Sequence, residues 1–243
     1  MKKFRDEYRQ FVAEGDKIVK ELLVSDLELK VLVATKRWLE SLPAEILDRA
    51  GEILDVSEEE MGRISFLKSP GPVLAVAGIP ERGMFNPDYA NELILMLDRI
   101  QDPGNFGTIV RTADWFGVRH IFCSCDSADL YNPKVIQSTM GAFVRVRIQY
   151  ADLEETLGKI KAEGNVPIYG AYLEGSGIYS QELSRNGLVI IGNESAGISG
   201  QLSSLVSYRL FIPGFPPEIK GSESLNAASA AAIICSEFRR RLL

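Results

Sequence analysis

Three short polar segments hold the residues of this 243-residue chain whose types and spacing could do chemistry. Asn105-Phe106-Gly107-Thr108-Ile109-Val110-Arg111 sets an amide and a guanidinium six positions apart. On a helix that is nearly two turns, so both can address one cleft. Gly192-Asn193-Glu194-Ser195-Ala196-Gly197 ends an apolar Val189-Ile190-Ile191 run with a carboxylate behind a glycine that lets a ligand approach the backbone. Ile212-Pro213 followed by Ser224-Leu225-Asn226 brings a hydroxyl and an amide to the start of an alanine-rich helix. Each segment lies where a buried apolar run gives way to a loop or helix start, and ligands of open α/β sheets bind at such strand ends.

Plainer roles compete at every position. Asn105 suits a helix N-cap, Arg111 a surface arginine, Glu194 a cap for the next helix and Ser224 an N-cap for the last one. The face made by Ala227, Ala228, Ala230, Ala231 and Ala232 admits a second backbone or a second subunit, and equally suits a buried core helix. Asp102-Pro103-Gly104-Asn105-Phe106-Gly107 resembles half of a dinucleotide fingerprint, with Asp126 about 20 residues on where a ribose-binding acid would sit, but the full Gly-x-Gly-x-x-Gly is missing. A nucleophile elbow is excluded around Ser195 because Gly-x-Ser-x-Gly is absent and the only histidine, His120, precedes the serine.

The elements needed to position these residues alternate along the chain. Residues 1–80 read as a small α/β domain. Its strands are expected at Gln10–Ala13, Leu29–Ala34, Ile53–Val56 and Val73–Ala77, with helices at Asp16–Ser25, Lys36–Ala50 (interrupted near Pro43) and after a capping-box Ser57-Glu58-Glu59-Glu60. Residues 81–90, with Pro80 before them and Gly83, Asn86 and Pro87 among them, read as a linker. Residues 91–243 then read as a second domain. Strands are expected at Glu92–Leu97, His120–Cys125, Val144–Ile148, Val166–Leu173, Gly187–Gly192 and Arg209–Ile212, and helices at Asn105–Phe116, Pro133–Ala142, Leu153–Glu163, Ala196–Val206 and Leu225–Leu243. Strands that alternate with helices and are apolar on both faces predict a mainly parallel sheet covered on both sides.

Composition narrows the classes. The 46% hydrophobic and 25% charged residues are an ordinary composition for a soluble globular protein, and no run approaches the roughly 18 apolar residues of a membrane span. The start turns acidic at once and lacks a signal peptide's apolar core. Three cysteines and one histidine argue against a disulfide framework or a metal site and for free thiols in the cytoplasm. A net charge of −6 excludes a broadly cationic protein but leaves room for a local basic face at Lys2, Lys3, Arg5, Arg9, Lys17 and Lys20, at Arg145 and Arg147, or at Arg239-Arg240-Arg241.

Taken together, the three segments resemble the motifs of the SpoU/TrmH branch of the knotted SPOUT methyltransferases. Asn105–Arg111 is similar to that family's first motif, Gly192-Asn193-Glu194 to its second, and Ile212-Pro213 with Ser224-Leu225-Asn226 to its third. Phe11-Val12-Ala13-Glu14-Gly15 resembles part of the small substrate-binding domain that many members carry. The resemblance implies a C-terminal trefoil knot, one of the rare exceptions to unthreaded chains. It also implies a homodimer, S-adenosylmethionine as cofactor, no metal, and transfer of a methyl group to a ribose 2′-hydroxyl of structured RNA, rRNA favoured over tRNA. By position it assigns Gly192, Ile212, Leu225 and Leu173 to the cofactor. Arg111 would position the hydroxyl, and Asn105, Glu194, Ser224 and Asn226 would orient that arginine, the ribose or the phosphate. Two departures from the family pattern are a longer stretch at 214–221 and Ala228 where relatives often carry serine. A protein of the same fold that binds RNA without methylating it, and a nucleotide-dependent Rossmann enzyme built on Gly104, Gly107 and Asp126, are the competing classes.

Overall fold

The computed structural model describes residues 2–81, 83–216 and 224–242. In chain order the elements are α1 (Lys2–Tyr8), β1 (Gln10–Glu14), α2 (Asp16–Leu23), β2 (Leu29–Ala34), α3 (Lys36–Leu39), α4 (Ala44–Leu47), β3 (Ala50–Asp55), α5 (Glu58–Ile64) and β4 (Val73–Gly78). They continue as β5 (Leu93–Leu97), α6 (Pro103–Trp115), β6 (His120–Cys123), α7 (Pro133–Thr139), β7 (Arg147–Tyr150), α8 (Leu153–Glu163) and β8 (Ile168–Tyr172). The last are β9 (Ser176–Gly177), β10 (Gly187–Ile191), α9 (Gly200–Leu205), β11 (Tyr208–Phe211) and α10 (Ala227–Arg240). The chain divides into two compact units, residues 1–83 with 129–144, and residues 84–128 with 145–243.

Among the described residues, the first unit holds a four-stranded sheet in the order β1-β4-β2-β3. β4 runs antiparallel to β1 and β2, and β3 lies parallel to β2 as an edge strand exposed along most of its length. α2 buries Ile18, Val19, Leu22 and Leu23, the stripe its sequence spacing predicts. α5 starts as expected, because Ser57 Oγ accepts from Glu60 N while Glu60 Oε2 accepts from Ser57 N. The long helix expected over 36–50 is instead two four-residue turns, α3 and α4, parted by Pro43, which cannot continue a helix ladder. α1 has no buried residue, so no apolar period announces it. α7 belongs to this unit. Phe11 of β1 packs on Tyr131 and Phe143 at centroid distances of 4.8 and 5.7 Å, and Arg5 pairs with Asp129 at 2.7 Å.

The second unit is built on a seven-stranded sheet, β7-β6-β5-β10-β8-β11-β9, with every described pairing parallel. All five residues of β5 and of β10 are buried, as a parallel sheet covered on both faces requires. On one face Ile94, Met96, Ile168, Leu188 and Ile190 pack with Leu153, Leu157 and Ile160 of α8 and Leu202 of α9. On the other lie α6 and α10, side by side, with Tyr169 edge-on to Phe238 of α10 at 5.0 Å. Ala227, Ala228 and Ala231 of α10 are buried. The stretch before β5 docks on this unit. Phe85 packs its ring, tilted, against His120 and Phe122, its N–H donates to Gln149 Oε1, and Asn186 Nδ2 donates to Tyr89 O. His120 pairs through Nδ1 with Glu92 at 2.5 Å.

Candidate functional site

Because the strands are parallel, their carboxyl ends share one edge, and the residues of interest follow those ends. Asp98 and Arg99 follow β5, Leu173 follows β8, Gly192 follows β10 and Ile212 follows β11. β10, β8 and β11 are adjacent, so Gly192, Leu173 and Ile212 line up across three neighbouring strands. Ile212 is half-buried, while Leu173 and Leu225 leave apolar side chains exposed at 62% and 44%.

The centre of the site is one carboxylate oxygen. Glu194 Oε1 accepts from Asn105 Nδ2, from Asn226 Nδ2 at 3.0 Å and from the backbone N–H of Ala227 at 3.3 Å. Asn226 Nδ2 also donates to Asn105 Oδ1 at 2.8 Å. Residues from the first turn of α6, the loop after β10 and the start of α10 are thereby joined. Asn226 is fully committed, since its Oδ1 accepts from Ala228 N and Ser229 N and caps α10. Asn105 keeps one amide hydrogen, and Glu194 Oε2 has no hydrogen bond among the described residues. Those two groups, with the exposed Ser224 hydroxyl, are the polar atoms left for a ligand.

Several cap assignments change. The N-cap of α6 is Asp102, whose Oδ1 accepts from Asn105 N at 2.8 Å; Pro103 at the first helical position leaves Asn105 inside the first turn, free to face Glu194. The N-cap of α10 is Asn226, not Ser224. Glu194 serves α10, and α9 starts later than expected, after Ser199, because residues 193–199 form their own turn. Asn193 and Gly197 exchange backbone hydrogen bonds of 3.1 and 2.8 Å, and Asn193 Oδ1 accepts from Ser195 N and Ala196 N. A Cβ at Gly192 would come within 2.4 Å of Gly197 C and Ile198 N, so this turn closes only over glycine.

Arg111 lies about 9 Å further along α6 than Asn105. It is exposed on a stripe with Thr108 and Trp115 and has no hydrogen bond or ion pair among the described residues. The structure joins Asn105, Glu194 and Asn226 directly and leaves Arg111 and Ser224 outside that network. Residues 217–221 of the longer stretch 214–221 lie outside the described residues; Phe215 within it is 95% exposed. Ala228 is buried, with its N–H held by Asn226.

Sequence reasoning passed over Asp98 and Arg99. Asp98 is buried and accepts from Ser199 N at 2.7 Å and from Arg99 Nε at 3.2 Å; Arg99 Nη2 donates to Gly197 O at 3.2 Å. The readable signal was a charged pair set directly after the wholly apolar Leu93–Leu97. No group of three or more His, Cys, Asp or Glu side chains placed to hold a metal occurs among the described residues.

Comparison with known proteins matches residues 92–236 to the SpoU rRNA Methylase family and residues 1–75 to the MRM3-like substrate binding domain. The chain is 30% identical over 240 residues, 98% of its own length and 92% of the relative's, to the 23S rRNA (guanosine(2553)-2'-O)-methyltransferase RlmP of Bacillus subtilis. Its fold is similar to that of an AdoMet-bound rRNA methyltransferase from Sinorhizobium meliloti, with TM-score 0.84, 30% identity and coverage of 100% of this chain and 92% of that one. A TrmH-family protein from Porphyromonas gingivalis matches with TM-score 0.85 and 38% identity over 99% of this chain and 94% of its own.

Proposed function

The chain belongs to the SpoU rRNA methylase family, and from that premise we propose that it moves a methyl group from S-adenosylmethionine to a ribose 2′-hydroxyl of RNA, ribosomal RNA in preference to transfer RNA. The observation that carries this reading is the meeting of Asn105, Glu194 and Asn226 at one oxygen beside the carboxyl edge of the sheet. Three motifs that are distant in sequence form one polar wall there.

The residues present fit the cofactor. Leu173, Gly192 and Ile212 offer backbone groups at three adjoining strand ends, and the exposed side chains of Leu173 and Leu225 are apolar surface for an adenosine to cover. Bound there, S-adenosylmethionine supplies a methyl group already activated by its sulfonium, so the protein's task is alignment. Asn226 holds Asn105 and Glu194 in place and has no capacity left for substrate. Asn105 can donate its second amide hydrogen to a ribose or phosphate oxygen, and Glu194 Oε2 can accept from a ribose hydroxyl. The Arg111 guanidinium is a cation that carries donors and no acceptor. Its role is therefore electrostatic, holding the 2′-oxygen as negative charge develops there.

The reading includes a homodimer, supported by Trp115, which is 84% exposed on the same stripe of α6 as Arg111. It includes a trefoil knot in the second unit, supported by β11 lying between β8 and β9, strands that are consecutive in the chain. The first unit is the part that holds structured RNA, as its family match suggests. A cytoplasmic location accords with three free cysteines.

The test is transfer of tritiated methyl from S-adenosylmethionine to rRNA and tRNA from cells lacking this protein, followed by digestion to nucleosides. Label in 2′-O-methylribose from rRNA is expected. Label on a base overturns the chemistry, and label confined to tRNA overturns the substrate preference. Cofactor binding with no label in naked RNA or in ribosomal particles favours a protein that binds RNA without methylating it.

A further inference from the structure

We propose that Asp98 and Arg99 are positioning residues, which act on the reaction only through the 193–199 turn that carries Glu194; the inference rests on the methyl-transfer reading above. Every polar bond of the pair goes to the protein's own framework. Arg99 N donates to Ser124 Oγ at 2.8 Å, and Arg99 O accepts from Asn193 Nδ2 at 2.9 Å. The Arg99 guanidinium spans Asp98 Oδ1 and Gly197 O, and Asp98 Oδ2 takes Ser199 N. The turn is thus held at Asn193, at Gly197 and at Ser199, on both sides of Glu194. Arg99 does this from a left-handed backbone, φ 57°, which side-chain-bearing residues seldom adopt. Such a conformation persists where its surroundings over-determine it, and these bonds do so. Glu194 itself is exposed and makes all its described bonds through one oxygen; the turn's own bonds, from Asn193 to Ser195, Ala196 and Gly197, close it but do not tie it to the end of β5 as Asp98 and Arg99 do.

Arg99→Asn and Arg99→Gly test this without threatening the backbone, because both residues accept a positive φ. Both variants should keep the wild-type melting temperature and cofactor affinity and lose about 10–100-fold in kcat, the usual effect of displacing a reacting arrangement slightly. KM for RNA and the salt dependence of RNA binding should not change. Combining Arg99→Asn with Glu194→Gln should cost little more than Glu194→Gln alone, since the two act as one unit. Amide hydrogen exchange at Gly197 and Ser199 should speed up in Arg99→Asn. Unchanged kcat overturns the proposal, and so do losses that multiply in the double variant. A rise in RNA KM with a flatter salt dependence also overturns it, by making Arg99 a phosphate contact. If the wild-type protein transfers no methyl group, the family-based reading fails by itself; the exchange experiment still decides the brace, and unchanged exchange at Ser199 rejects it.

Discussion

Two glutamates near strand ends, Glu14 in the first unit and Glu194 in the second, show how differently one side chain is used. Glu14 ends β1, is buried, and spends both oxygens on one loop, taking Ser65 Oγ at 2.5 Å and Phe66 N at 3.0 Å. Glu194 is exposed, draws donors from two helices onto one oxygen and keeps the other open. A satisfied, buried carboxylate holds structure, whereas an exposed and half-satisfied one keeps capacity for a ligand. The difference traces to the sheets. Neighbouring antiparallel strands send their loops to opposite ends, and Glu14 meets a single loop, 51 and 52 positions along the chain. Parallel strands bring every carboxyl end to one edge, where segments about 90 and 120 residues apart can meet.

The comparison breaks first at the catalytic side. Arg111→Ala should lower methyl transfer by about 100-fold or more, as loss of one charge-stabilising group typically does, with an unchanged melting temperature. Unchanged turnover in a labelled-methyl assay would remove Arg111 from the mechanism. Next come the two glutamates themselves. Glu14→Gln should cost about 1–3 kcal/mol of stability by urea titration, because the buried side chain keeps only one acceptor oxygen, uncharged, for its two donors, while S-adenosylmethionine affinity holds. Glu194→Gln should do the reverse, lowering kcat with little loss of stability. A melting temperature that falls equally in both would erase the distinction.

A third carboxylate sharpens it. Glu237 of α10 is buried, and its hydrogen bond with Arg240, joined by Arg241, pulls its pKa from 4.5 to about 2. The folded value lies below the unfolded one, so the unfolded chain takes up this proton first. The stabilisation is therefore present above about pH 4.5 and is lost as pH falls toward 2. Chemical denaturation measured down that range should show the loss, and Glu237→Gln should flatten it. The smallest effect is expected at Ser57→Ala, about 1 kcal/mol from the capping box of α5, read as a small drop in melting temperature with no change in activity.

Much of the fold was legible because its causes are local. Leu29–Ala34 forms the strand its β-branched run predicts, the Ser57 box starts α5, and the fully apolar Leu93–Leu97 is a strand covered on both faces. The Asp102-Pro103 pair was an equally local sign of a helix start, and reading Asn105 as the cap overlooked it. The partners of Asn105 were not legible. They are a glutamate 89 positions away and an asparagine 121 away, and no periodicity reports pairs at such separations.

By itself the sequence determined where strands and helices alternate, which family the motifs resemble and which polar residues stand at strand ends, since apolar period, turn chemistry and motif spacing are properties of neighbours in the chain. Only the tertiary structure decided that Asn226 is spent on holding Asn105 and Glu194, that Glu194 Oε2 stays open, and that Asp98 and Arg99 brace the turn behind it. A side chain has few donors and acceptors, and whether one remains for a ligand depends on which distant groups the sheet has already brought to it.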